Sequence, residues 1–376
     1  MKKLFLTLTI LLVSIQFYPV KAMEKTADIL KKNVVTDGDG LYIDSTVEGR
    51  YIYKGGKPNN YIKLGDDLYR IISLEKDGTI KVIKQESIGE MPWDEYGARY
   101  STNSDDFCTR EWGCKSWGSN TTTLDSNGNK VTQMPLEVNG TLKNLPDKEA
   151  TLNTYLNNDF YNGLSDDVKS LIVEGTWNVG ATNVRQTNLS ESIKEESSYK
   201  WKGKVALMNA TDYVKASTNS ACSSVKDYSY AGTSSCYNNS SAHNYLYLND
   251  SPWLLSTYST SAANYIFFVN GAGGFYSDNG AFGTGSDVRP AFYLSSETTL
   301  NGEGTETNPY TVSKYVEETK DEENNKDVKE EVNIGNEQVV EVPSTSAQMS
   351  IIIASIGIIF IGASIIITKT MTKKSK

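Results

Sequence analysis

Residues 349–368 form an almost wholly apolar run, and Lys369, Lys373, Lys374 and Lys376 follow it to the end of the chain. A helix of roughly 20 apolar residues crosses a bilayer, and trailing lysines keep its end cytoplasmic. The reading is a transmembrane helix at 349–368 with a basic cytoplasmic tail at 369–376. Gly357 and Gly362 are ordinary in such a helix. At the other end, Lys2 and Lys3 precede an apolar stretch from Leu4 to Ile15, and Val20-Lys21-Ala22 places a small residue at a cleavage position. That pattern is a secretory signal peptide over residues 1–22, with an uncleaved anchor as the alternative. The bulk of the chain is therefore expected outside the cell membrane.

Charge narrows the class of partner. The chain carries a net charge of −9. Without the three lysines of residues 1–22 and the four of residues 346–376, the part between carries −16. Such a surface repels nucleic acid and anionic headgroups, so no nucleic-acid partner is expected.

The four cysteines fall as two close pairs, Cys108 with Cys114 and Cys222 with Cys236, each inside a stretch crowded with Ser, Thr, Asn and Gly. An exported chain meets an oxidising setting, so local disulfides within each pair are expected. A closed loop of about 15 residues contributes ~3 kcal/mol in the chain-entropy account. The spacings are not those of a zinc site. His243 is the one histidine and has no evident carboxylate partner, which argues against a cysteine nucleophile. No metal or cofactor is expected. The Asp37 and Asp39 stretch lacks a full calcium ligand series and reads as a turn.

Residues 314–341 are rich in Glu, Lys, Asp and Asn, with no aromatic after Tyr315. They bury too little apolar surface to offset ordering entropy and read as an acidic disordered stalk. Residues 23–50 read as an N-terminal segment, and the folded head is placed at 51–313. Within the head, Ile62, Leu64, Leu68, Ile71, Ile72, Leu74, Ile80, Val82 and Ile83 predict strands turned at Gly65-Asp66 and Asp77-Gly78. Leu152, Tyr155, Leu156, Phe160 and Tyr161 predict a helix. Ser165 predicts the N-cap of a second, with Val168, Leu171 and Ile172 inward. Thr176–Val179, Tyr265–Val269 and Val288–Leu294 read as strands. Arg289 needs a buried acid, with Asp287 and Asp212 the candidates. The fold class is α+β, with an antiparallel sheet, two main helices and long irregular loops.

Two resemblances rest on particular residues. Val342-Pro343-Ser344-Thr345-Ser346, followed by the apolar run and the basic tail, resembles the cell-wall sorting signal of Gram-positive bacteria, usually Leu-Pro-any-Thr-Gly. It departs by Val for Leu and Ser for Gly. The resemblance implies sortase as a transient partner, cleavage after Thr345 and covalent attachment to peptidoglycan. A plain single-pass membrane anchor is the alternative. The stretches "YIKLGDDLYRIISLEKDGTIKVIK", "GKVALMNATDY", "SPWLLSTYS" and "DVRPAFYLSS" resemble a domain of unknown function in secreted surface proteins of Gram-positive bacteria. That domain is similar to the C-type-lectin-like fold shared with formylglycine-generating enzymes. The resemblance implies a C-type-lectin-like head and does not fix an activity.

The 23 Tyr and 6 Trp, many set among Ser, Asn and Gly, suit a binding surface, where rigid rings give contact area at low entropic cost. Tyr258, Tyr276, Asn279 and Phe282 are the candidate ligand-binding residues. Tyr265 fits the core as well as a surface. No catalytic residues emerge. The expectation is an adhesin-like surface protein, not an enzyme, that presents its head to an extracellular glycan or protein. The alternatives are an enzyme on the formylglycine-generating scaffold or a passive envelope component.

Overall fold

The computed structural model describes residues 23–136, 140–183, 187–228, 236, 240–259, 262–278, 281–283 and 285–317. The expected signal peptide, most of the expected stalk, the Val342–Ser346 motif and the 349–368 segment lie outside these residues. Among the described residues no helix is long and apolar enough to cross a membrane.

The fold is α+β, mostly sheet with few helices. Its centre is a meander of β3 (Tyr61–Leu64), β4 (Asp67–Leu74) and β5 (Ile80–Lys84). The expected turns form it. Gly65 and Gly78 both take positive φ, and the Asp77 carboxylate accepts the Thr79 amide at 3.0 Å, the self-bonding that makes Asp-Gly a turn. From Tyr69 to Leu74 every residue of β4 is buried on both faces, so the run Ile71-Ile72 needs no alternation.

The sheet grows outward in the order 172–173, 291–294, β5, β4, β3, 310–314, 298–301. The strand Tyr310–Lys314 joins β3 in parallel; the other pairings of this sheet are antiparallel. The folded body starts before residue 51. β1 (Gly40–Ile43) pairs with β2 (Tyr51–Lys54), β2 pairs with β4, and Leu30 and Leu41 are fully buried in the core. The N-terminal segment is thus part of the sheet.

The expected first helix runs from Thr151 to Gly163 with a π-helical turn at Leu156–Phe160. The turn carries Asn157, whose amide donates to the Val205 carbonyl at 2.8 Å and accepts the Val205 amide at 3.0 Å. The second helix, Asp166–Leu171, begins as expected at Ser165, whose hydroxyl accepts the Val168 amide. Helix Leu189–Glu196 is capped by Asn188, and helix Ala210–Lys215 has a full capping box from Asn209 and Asp212.

Both cysteine pairs are closed as disulfides, Cys108–Cys114 and Cys222–Cys236, which fits an oxidising compartment. Cys108 and Cys114 join Phe107, Met134, Leu145 and Ala263 in a small core of their own. Arg289 is buried but pairs with neither expected acid. It donates to the carbonyls of Leu246 at 2.7 Å and Lys84 at 3.1 Å, while Asp212 is taken by Lys81 and Arg50 and Asp287 by the Ser251 amide.

Candidate functional site

The loop closed by Cys108–Cys114 carries the most exposed tryptophan of the head. Trp112 is 54% exposed, Tyr96 61% and Tyr100 44%. Phe282 sits between the first two, with ring centroids 5.4 Å from Tyr96 and 5.2 Å from Trp112, both edge-on. Three chain segments therefore meet at one aromatic platform. The Tyr96 hydroxyl donates to the Glu111 carboxylate, which places an acid at its rim.

The platform is fixed from below. Asp94 and Arg99 form a buried ion pair at 2.9 Å. Arg99 also donates to the carbonyls of Cys114 at 2.6 Å and Ser116 at 2.8 Å. Asp94 accepts the Cys114 amide at 2.9 Å and the Thr151 amide at 3.2 Å. Burial pushes the Asp94 carboxyl up despite the guanidinium beside it. Gly113 permits the contact with Phe282: its φ is +81°, and a Cβ there would lie 2.7 Å from the Ala281 side chain and 2.9 Å from the Phe282 amide. No other residue fits both constraints.

The expected binding residues do not form one group. Phe282 is in the platform. Tyr258 is half-buried; its ring packs on Phe267 at 5.4 Å and Tyr265 at 6.3 Å, and its carbonyl accepts the Lys115 ammonium at 2.7 Å. It is a packing residue. Tyr276 is 39% exposed on the edge strand Phe275–Asp278, edge-on to Phe268 at 5.4 Å. Asn279 lies outside the described residues. Tyr96, Tyr100 and Trp112 escaped the sequence reading. The signal available was Trp112-Gly113-Cys114, an aromatic beside a flexible residue and a crosslink.

A second concentration of polar groups lies at one end of the main sheet. Asp212 accepts from Lys81 at 2.6 Å and Arg50 at 3.1 Å. Arg50 also meets Glu75 at 3.0 Å and Asp44 at 3.6 Å, and Lys215 meets Asp44 at 2.9 Å. Burial raises the Asp212 carboxyl, but Lys81 and Arg50 outweigh it and hold the group well below the usual range. Behind Asp212, Glu196 is buried with no cation in ion-pair contact among the described residues. It accepts hydroxyl hydrogens from Thr211 and Ser256, and burial pushes it up to about 7.

Residues 139–296 match the model of a family described as a domain of unknown function (DUF6273). The matched region contains Phe282, the charge-bearing helix Ala210–Lys215 and the second disulfide. Tyr96, Tyr100 and Trp112 precede it. No curated protein matches the chain, and no solved structure matches it.

Proposed function

We propose that this chain is an adhesin-like surface protein whose head binds a glycan on the Tyr96–Trp112–Phe282 platform. The observation that carries the reading is the platform itself: two strongly exposed rings braced on a third, on a loop held by a disulfide and a buried ion pair. Monomeric proteins seldom leave such rings together in water without a use. Flat aromatic faces accept the apolar face of a sugar ring, and the Glu111 carboxylate at the rim can accept its hydroxyls. Binding is favoured over catalysis because Asp44, Glu75, Asp94 and Asp212 are each engaged by Arg or Lys, leaving them as structural partners.

In this reading the head is C-type-lectin-like. The signal peptide exports the chain, and the C-terminal run holds it at the envelope. Sortase then exchanges that run for peptidoglycan at Thr345–Ser346. The second disulfide and the acidic balance of the chain agree with an exported head.

A glycan array probed with the intact chain tests the proposal. Wild-type protein is expected to retain a defined set of oligosaccharides. Trp112→Ala weakens them by roughly tenfold or more, as loss of a central aromatic anchor does, without lowering the melting temperature, because Trp112 is exposed. An array silent for wild-type protein, or a Trp112→Ala variant that binds as well, overturns it.

A further inference from the structure

Two hollows adjoin along the outer face of the strand Gly175–Asn178. They share Glu75, Thr176 and Tyr293 in their walls. The first has a volume of about 370 Å³, with Arg50, Lys81, Lys200 and Lys215 against Glu75 and Asp212. The second is about 450 Å³, with Glu75, Asp77 and Glu174 against Lys76. One hollow is thus net basic and its neighbour net acidic, and both fall in the size range of small-ligand sites.

Strand geometry sets the spacing. Gly175 and Trp177 are buried, whereas Glu174 and Thr176 are exposed and Asn178 is half-buried, so 174, 176 and 178 share the outward face. Asn178 pairs with Lys200 on the neighbouring strand. Gly175 lets the Tyr293 ring lie close against the strand, since a Cβ there would come within 2.2 Å of it.

Most charges here are already matched by an opposite charge, and Asp77 is taken by the amide and hydroxyl of Thr79; Lys200 and Glu174 are the two left for a ligand. Lys200 donates to the Asn178 side-chain carbonyl and has no carboxylate within 4.0 Å among the described residues; Glu174 likewise has no cation within that distance. They stand at opposite ends of the strand face, four residues apart, or about 13 Å at ~3.3 Å per residue. An extended peptide of about four residues covers that length.

We propose that the paired hollows bind a short peptide with free termini, its carboxylate at Lys200 and its ammonium at Glu174. The site is separate from the aromatic platform and does not rest on the glycan reading. The pairing selects a zwitterion over a simple anion, because a phosphate at Lys200 leaves Glu174 without a counter-charge, whereas the peptide ammonium supplies one.

Calorimetric titration of the intact chain with tetra-alanine in low salt tests this. Saturable binding is expected. Amidating the peptide's C-terminus or making Lys200→Ala weakens it by roughly tenfold, as losing a charge-assisted hydrogen bond does. Acetylating its N-terminus or making Glu174→Gln has a similar effect. Lys200→Ala does not weaken the amidated peptide further. Glu174 is exposed and Lys200 half-buried, and melting temperatures of the variants verify folding. Absence of saturable binding, equal binding of the doubly capped peptide, or affinity unchanged in both variants overturns the proposal, as does inorganic phosphate competing as well as the peptide.

Discussion

Replacing Asp212 by alanine is expected to destabilise the head by about 3–5 kcal/mol, the cost of breaking a buried ion pair from one side. Asp212 accepts from Lys81 and Arg50, and both its side chain and that of Lys81 are almost fully buried. Removing the carboxylate strands a buried ammonium, whose other neighbours are the rings of Trp177 at 4.9 Å and Tyr293 at 5.9 Å. Arg50 keeps Glu75 and Asp44, so Lys81 is the group left exposed to the loss. The same carboxylate accepts the Asn209 amide at 3.0 Å, and losing that cap adds about 1 kcal/mol. Urea unfolding of wild type and variant reads the difference. Adding Lys81→Met to Asp212→Ala should recover much of the loss, because a buried pair replaced by apolar groups is often close to neutral. A single variant within about 1 kcal/mol of wild type, the usual size of an ordinary hydrogen bond, contradicts the description of this network.

The second large effect is a dependence of stability on pH with an unusual sign. Glu196 has its folded-state pKa raised by burial from 4.5 to about 7. Between those values the folded state holds a proton that the unfolded state has lost. Stability therefore falls as pH rises through the window. The contribution is fully present below pH 4.5 and gone above about 7. Each tenfold gain in proton affinity is worth about 1.4 kcal/mol, so the contribution amounts to ~3 kcal/mol. Asp212 acts oppositely and in a lower range: its folded pKa is depressed, so its contribution is present above the ordinary carboxylate value and disappears in acid. Urea unfolding at about pH 5 and about pH 8, on either side of most of this window, checks the Glu196 effect. Wild type should lose stability across the interval, and Glu196→Gln should lose much less. An equal slope in both proteins contradicts the assignment.

How much of this was legible in the sequence depended on distance along the chain. The meander β3–β4–β5 was readable because alternating Ile and Leu and the Asp77-Gly78 turn are local signals. Cysteine pairing was readable because partners lie close in sequence, 6 and 14 residues apart. The Ser165 cap was readable for the same reason. The charge network was not: Lys81 and Asp212 are 131 residues apart, and nothing near either one names the other. Burial of Arg289 calls for an acid, but the guanidinium donates to the backbone carbonyls of Leu246 and Lys84, its Nη2 has no hydrogen-bond partner among the described residues, and the acid whose charge acts on it most is Asp250, not Asp287 or Asp212. The platform brings Phe282 to Tyr96 and Trp112 across almost half of the chain. Only Gly113 hinted that another segment must come close there. Tyr258 looked like a surface tyrosine because its neighbours are small and polar, but Phe267 and Tyr265 cover it.

The functional reading stands on the aromatic platform, and tryptophan side chains offer a direct view of it. The chain has 6 Trp. Trp93, Trp117, Trp177, Trp201 and Trp253 are at most 3% exposed, whereas Trp112 is 54% exposed. A ¹⁵N spectrum of the indole N–H groups, recorded while an array-selected oligosaccharide is titrated in, separates the platform from every other tryptophan. The Trp112 signal is expected to shift in a saturable way while the five buried signals stay in place. Saturable binding that leaves the Trp112 signal unmoved would contradict a glycan site on this platform.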